Sequence, residues 1–403
     1  MSAIASYREL MRIAGPAYFV VAFLGRIPLA MSQMGTLILV SASTGRYALG
    51  GAAAGGLAVA NAIGAPLAGS LADRIGQRPV VLAQSLAGAC GLIALVIASH
   101  QGAPAVAVIG LAAVAGFAIP QVGPLARVRW QPITRNQDDQ RRLIDAAFSY
   151  EGAADEASFV LGPALVGALA VVVDPGGALV AGAIILAGFG SWFAIHPTAE
   201  LTHQQSKRHE IGGALFTAAF IVLIFAQLFV GMIFGGTQTG AAVFATAEAQ
   251  PGLAGLIHAT LGIGSVIAGL AIAGLPESIG YEKRTLVAAF GLFVLSSPLL
   301  LVHSIGSLVA VVMLLGFAVA PYMISNFALA GRLVPPSRVG TAMTMLAGAT
   351  GVGYALGSSI AGRLADEGGA TQAFAVTVTA AGCALLLALI FRGTLARATK
   401  ESA

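Results

Sequence analysis

The feature that most constrains this chain is its series of uninterrupted apolar runs, each about twenty residues long and set apart by short charged or Pro/Gly-rich breaks. About twenty residues of helix cross the hydrocarbon core of a bilayer, whereas membrane β-strands need alternating stretches of about ten. A backbone in lipid must satisfy its own hydrogen bonds, so continuous runs predict helices. Reading run by run gives twelve spans, at 13–41, 49–71, 79–99, 103–126, 144–173, 177–197, 212–245, 252–275, 285–303, 307–331, 340–365 and 371–391. The expected fold class is an all-α polytopic membrane protein.

Composition closes the other routes. Of 403 residues, 21 are Lys or Arg and 17 are Asp or Glu, so 9% are charged, against roughly a quarter in soluble domains. Twelve spans use about 240 residues, which leaves no room for a soluble catalytic domain and argues against an enzyme and against nucleic-acid binding. Cys90 and Cys383 lie inside apolar runs without ligand spacing, so neither a disulfide framework nor a metal site is expected, and both read as small core residues. The first run follows Arg8 and Arg12 and continues to about residue 40, too long for a cleaved signal segment, and reads as a retained span.

Orientation follows from the basic residues. With the N-terminus cytoplasmic, 18 of the 21 bases fall in inner segments, Arg46 and Arg363 fall outside, and Arg26 lies within a span. Both termini are then cytoplasmic, and the net charge of +4 is topological.

The chain also repeats. Gly116-Phe-Ala-Ile in span four recurs as Gly316-Phe-Ala-Val in span ten, 200 residues on. Leu161-Gly162, Gly167 and Leu169-Ala170 in span five recur as Leu356-Gly357, Gly362 and Leu364-Ala365 in span eleven, 195 on. Paired matches indicate two six-helix halves in parallel orientation, 1–197 and 212–403, joined by a cytoplasmic linker at 198–211.

Between spans two and three stands Gly69-Ser-Leu-Ala-Asp73-Arg74-Ile-Gly76-Gln77-Arg78-Pro79. Gly69 allows close helix approach, Asp73 at a helix end can accept backbone N–H bonds, and Gly76 supplies a tight turn. The stretch resembles the G-x-L-A-D-R-x-G-R-[RK] signature of the major facilitator superfamily, departing at Gln77, where that pattern has a base. The resemblance covers the whole twelve-span plan and implies an alternating-access transporter in which Asp73, Arg74 and Arg78 latch the outward-facing arrangement, Asp73 near the start of the eleventh helix. A topogenic loop whose bases only enforce orientation is the alternative. The corresponding second-half loop, Ile279-Gly280-Tyr-Glu282-Lys283-Arg284, lacks the aspartate's place, so a one-sided latch is expected.

An ionisable side chain at bilayer depth costs about 3 kcal/mol or more by insertion scales, which makes each one a functional candidate. Glu151, Asp155 and Glu156 in span five are the acids found there, and Arg26 is the base. Counted from the span starts, Arg26 lies about 20 Å deep and Asp155 and Glu156 about 16–18 Å, with Glu151 shallower, so Arg26 and the acid pair can meet. One reading is proton coupling: a carboxylate binds a proton in one conformation and Arg26 in the other. The other is a structural pair that never titrates. Downstream, Gly162, Pro163 and Gly167 resemble the G-x-x-x-G-P-x-x-G-G element of exporters in the same superfamily, with Ser158 and Val166 departing from it, and ordinary small-residue packing is the alternative. A second exporter element, an arginine midway along span four, is missing.

The resemblance places substrate near the midplane between the halves. Polar candidates there are Gln33, Gln121, Gln227, Gln238, His258, Tyr322 and Asn326, with Thr237, Thr344 and Tyr354 beside them and Phe117, Phe225, Phe229, Phe234 and Phe317 as apolar walls. Each polar group can also serve helix packing. The expectation is a monomeric, cofactor-free exporter in the cytoplasmic membrane, driven by the proton gradient and moving a small hydrophobic, amphiphilic or weakly cationic molecule. A symporter or uniporter importing a nutrient is the rival, with a polytopic enzyme or pump subunit further off.

Overall fold

The computed structural model describes residues 3–45, 47–202, 214–250, 253–275, 279–394 and 397. Arg46, Lys207, Arg208, Glu277, Lys400 and most of the 198–211 linker lie outside the described residues.

A surface helix, α1 (Ala3–Ala14), ends at Gly15, whose φ of 79° turns the chain before Pro16 opens the next helix. The first half then runs through α2 (Pro16–Thr44), α3 (Tyr47–Ile75), α4 (Gln77–His100), α5 (Ala105–Ala118), α6 (Val122–Ile133), α7 (Gln140–Val172) and α8 (Gly177–Ile195). The second half runs through α9 (Ala218–Ala247), α10 (Ala254–Ala271), α11 (Tyr281–Ser296) and α12 (Ile305–Leu333). Its last helical stretch, Val339–Ile390, is broken at Gly368 and Gly369, the latter at φ 68°, and therefore forms two spans, α13 (339–367) and α14 (370–390). Helices α5 and α6 together make the fourth span, so the described residues hold twelve.

Two boundaries differ from expectation for stated reasons. The first apolar run is split at Gly15 into α1 and the first span. The fourth span does not stop at 126. Pro120 holds Ile119 extended (φ −68°, ψ 122°) and interrupts the helix, which resumes at Val122 and carries Arg127 and Arg129 inside the protein. The carbonyls freed at the break, those of Gly116 and Ile119, accept from the Asn61 amide at 2.8 Å each.

The two halves repeat contact by contact. A side chain at Gly162 would run into Ala30 and Met31, and one at Gly357 into Met232, an offset of 195 on one helix and 201 on the other. Gly116 abuts Leu57 as Gly316 abuts Leu261, offsets of 200 and 204. The halves meet mainly through α3 on α13 and α7 on α10, with α7 also against α12. Cys90 is exposed on the outside of α4 rather than part of the core.

Candidate functional site

The buried charges of the first half converge. Arg26, about three turns into α2, is 4% exposed. Its Nη2 donates to Glu151 Oε2 at 2.5 Å, and its Nη1 donates to Asp155 Oδ1 at 2.9 Å and to the Glu151 carbonyl at 3.2 Å. Glu151 and Asp155 are four residues apart on α7 and so share a face. The remaining lone pairs are taken from α6: Trp130 Nε1 donates to Glu151 Oε1 and Arg127 Nη1 to Asp155 Oδ2, both at 2.7 Å. Two bases and two acids thus close a neutral network at bilayer depth, the condition under which buried ions are tolerated. Tyr18, Phe19 and Tyr150 wall it with edge-on rings.

Glu156 stands apart from that network. It is 7% exposed, yet the ion pairs among the described residues engage Glu151 and Asp155 and leave it out. One residue beyond Asp155, it is turned by about 100° onto another face of α7. On that face Gly152 meets Ile324 of α12, Ala153 lies against Gly269 of α10, and Val160 packs on Gly262 of α10. Glu156 is therefore an unpaired carboxyl on the seam between the halves. Arg26 meets Glu151 and Asp155, not the expected pair of Asp155 and Glu156.

Arg127, Arg129 and Trp130 are the members of the site that the sequence does not point to, because a charged residue closes the apolar run of span four at 126. The helical spacing of Val122, Leu125, Ala126, Trp130 and Ile133 was the available signal. Arg129, fully buried, donates to Gln77 Oε1 at 2.9 Å and to Thr198 Oγ1 at 3.0 Å and lies over the Phe193 ring at 3.6 Å. Gln77 is the residue at which the loop motif departs from its pattern. A base there would face Arg129, whereas the amide accepts from it. Burial and the Arg129 charge also hold His196, just past α8, below its ordinary pKa.

At the end of the bundle that carries both termini the halves are bolted together. Asp73, at the end of α3, accepts from the backbone N–H groups of Gly340 and Thr341 at 2.9 and 2.7 Å and from the Thr341 hydroxyl at 2.7 Å. These groups open α13, where unsatisfied N–H groups and the helix dipole favour a carboxylate. Gly69 lies against Gly340 and Thr344 too closely for any side chain. Arg74 is exposed, and Arg78 bonds Glu200 of its own half at 3.1 Å, so neither reaches across. The expectation of a one-sided latch is corrected. Asp145 near the start of α7 accepts from the Tyr281 hydroxyl and from Arg284 and Arg332 at 3.4 and 3.5 Å, with Arg332 also 4.5 Å over the Tyr281 ring. A third tie comes from α1: the Tyr7 hydroxyl donates to the Leu270 carbonyl at 2.9 Å, capping the C-terminal end of α10. Burial pushes the Tyr7 pKa up to about 12, which keeps that donor protonated.

Of the polar cavity candidates, Gln238 is exposed and accepts from the Tyr354 hydroxyl at 2.6 Å, and Gln33 and His258 are half-buried. Gln121 spends its amide on Asn61 at 2.7 Å, which makes it part of the helix break. Gln227, Tyr322 and Asn326 are fully enclosed in the second half, with Gln227 accepting from Thr350 at 3.2 Å, and do not line a cleft in this structure. Pro163 sits within α7 and Gly162 packs tightly, but nothing lies within 4 Å of a side chain built at Gly167. Phe117, Phe225 and Phe317 are exposed, while Phe229 and Phe234 pack onto the second-half core.

These observations define a polytopic α-helical membrane protein of two pseudo-symmetric six-helix halves, joined at one end and holding charges at bilayer depth. Its C-terminal half, residues 223–403, matches the sequence model of the Major Facilitator Superfamily, and the chain as a whole has that superfamily's fold. Solved structures that it resembles include the human organic anion transporter MFSD10 (TETRAN), at a TM-score of 0.69 and 18% identity over 94% of this chain and 99% of that one. A bacterial homologue of the iron transporter ferroportin in the outward-facing state matches with a TM-score of 0.68 and 15% identity, over 94% and 98%. The nucleoside transporter NupG matches with 0.61 and 18%, over 93% and 98%. No curated protein matches the chain in sequence.

Proposed function

We propose that the chain is a secondary active transporter of the cytoplasmic membrane that exports a small hydrophobic or amphiphilic molecule in exchange for protons. The fold and the transporter structures it resembles support membrane transport. The observation that carries the coupling is Glu156, an unpaired carboxyl beside a network in which every other acid is matched. The basic residues gathered at the terminus-bearing end support a cytoplasmic assignment for it, and the bolts at that end then make this an outward-facing arrangement.

Physical chemistry supplies the link. A carboxyl on an apolar seam is far cheaper to bury neutral than ionised. With the cytoplasmic end closed, Glu156 holds a proton drawn from the outer side. When the seam parts, water reaches the group, ionisation becomes favourable, and the proton leaves inward. That cycle moves protons down their gradient and pays for outward movement of substrate. Arg26 and Arg127 hold Asp155 in place in this closed arrangement.

The test uses purified protein in proteoliposomes, with a probe chosen by a thermal-shift screen of metabolites and hydrophobic dyes. Glu156→Gln is expected to abolish uptake driven by a pH gradient in inverted vesicles while leaving probe counterflow intact. Undiminished driven uptake in Glu156→Gln, with loss in Asp155→Asn instead, would move the coupling role to the paired acid.

A further inference from the structure

Among the partners of the buried charge network, one touches the other half of the molecule. Arg127 on α6 donates from Nη1 to Asp155 Oδ2 at 2.7 Å, and its guanidinium lies 4.3 Å over the ring of Phe327 on α12. Both side chains are sealed, at 2% and 3% exposure. The repeat relates residue 116 to 316, so 127 and 327 occupy the same register of the two halves. A contact between equivalent positions lies on the pseudo-two-fold axis that relates the two parallel halves, at the centre of the seam between them. Arg127 is also carried on a helix separated from the rest of its span at Pro120, whereas its counterpart α12 runs unbroken from Ile305 to Leu333.

We propose that Arg127 is a positioning residue that ties the hold on Asp155 to closure of the two halves. While Phe327 covers it, Arg127 is dry and its attraction for Asp155 is strong, because the local dielectric is low. When the halves part at this end, the ring leaves, water enters, and the same ion pair is screened. Among the described residues Arg127 pairs with Asp155 and no other carboxylate: its Nε is buried without a partner, and the neighbouring Glu151 is occupied by Arg26 and Trp130. Closure is thereby reported to the network that holds α2, α6 and α7 together. The ionisable groups facing Asp155 across this space are Arg26 from α2, Arg127 from α6, and Glu151, Tyr150 and Glu156 from α7 itself.

The inference rests on the alternating-access reading, but its test does not need a transported substrate. Spin labels on the two halves at the terminus-bearing end of the full chain report the fraction closed in lipid, measured across a pH series. Phe327→Leu is expected to lower the closed-to-open ratio about tenfold, the loss of a desolvated cation–π contact, and to displace the pH at which the ratio changes. Phe327→Trp, which keeps a ring, is expected to retain both. Arg127→Gln combined with Phe327→Leu should be no worse than Arg127→Gln alone, since both remove one contact. Equal behaviour of the Leu and Trp variants, or additive losses in the double variant, would overturn the proposal. Where Arg127→Gln alone fails to fold, Arg127→Gln with Asp155→Asn serves as the background, and an effect of Phe327→Leu that persists there at full size would also overturn it. Absence of proton-driven uptake in the unaltered chain, with these distance changes present, would count against the transport reading and leave this one standing.

Discussion

The two halves share a backbone plan and differ in what they bury. Applying the repeat offsets, Arg26 corresponds to Gln227, Arg127 to Phe327, Glu151 to Leu346 and Asp155 to Thr350. The bond between Arg26 and Asp155 at 2.9 Å even has its counterpart in the bond between Gln227 and Thr350 at 3.2 Å. One geometry thus supports an ionic network in the first half and a neutral polar contact in the second. The difference teaches that the charges are not needed to build the fold, because the second half builds it without them. Their retention in lipid at several kcal/mol each calls for a purpose other than stability.

The strongest way to break this comparison is to give the first half the residues of the second. Arg26→Gln alone leaves Glu151 and Asp155 short of a base and is expected to cost about 3–5 kcal/mol, the usual result of orphaning a buried charge. Arg26→Gln with Arg127→Phe, Glu151→Leu and Asp155→Thr removes the network as a unit. It should recover most of that loss in thermal unfolding. Equal destabilisation by the single and the fourfold change would show that the network is structural after all.

The latches sharpen the comparison at the terminus-bearing end. Asp73 receives three short bonds, two of them from the N–H groups opening α13, so Asp73→Ala should weaken closure by about 2–3 kcal/mol. That is a rise of about 30-fold or more in the open population, read as faster cysteine labelling of the vestibule at that end. Asp145 accepts its two arginine bonds at 3.4 and 3.5 Å, and Asp145→Ala should cost about 1 kcal/mol, a smaller acceleration. The reverse order would mean that the second latch dominates.

Much of this was legible in the sequence because lipid permits so few solutions. Run length set the spans, and matched motifs set the repeat. The cost of burying a charge pointed to Arg26 and α7 before any coordinates. What escaped has physical reasons as well. A charged residue ends an apolar run by composition whether or not the helix continues, so Arg127 and Arg129 read as lying beyond span four. Pro120 marks a break, but only the Asn61 amide, 55 residues from Gly116, shows how the break is made tolerable. The pairing of Asp145 with Tyr281 and Arg284 joins residues 136 and 139 apart on different halves, a relation that no local spacing encodes. Adjacent acids look equivalent in a list, and only the faces of α7 separate Asp155 in its network from Glu156 on the seam.

The smallest expected effects test whether the halves are alike where chemistry does not distinguish them. A Cβ at Gly162 would stand 2.6 Å from Ala30 Cβ and 2.9 Å from the Ala30 carbonyl carbon, and a Cβ at Gly357 would stand 2.5 Å from the Met232 carbonyl oxygen. Backbone cannot yield as a side-chain tip does, so Gly162→Ala and Gly357→Ala should each destabilise by about 1–3 kcal/mol, the range for overpacking. The next glycines of the same motif, Gly167 and its counterpart Gly362, have nothing within 4 Å of such a carbon. Their alanine variants should stay within about 0.5 kcal/mol of the parent. Replacing a helical glycine by alanine also lowers the backbone entropy of the unfolded chain, so a slight stabilisation at both positions is the expected sign. Thermal unfolding of the four single variants in one detergent decides it. A pair that splits, one glycine tolerant and its counterpart not, would show that the pseudo-symmetry of backbone approach stops short of the helix ends, and that the outer parts of α7 and α13 are packed independently.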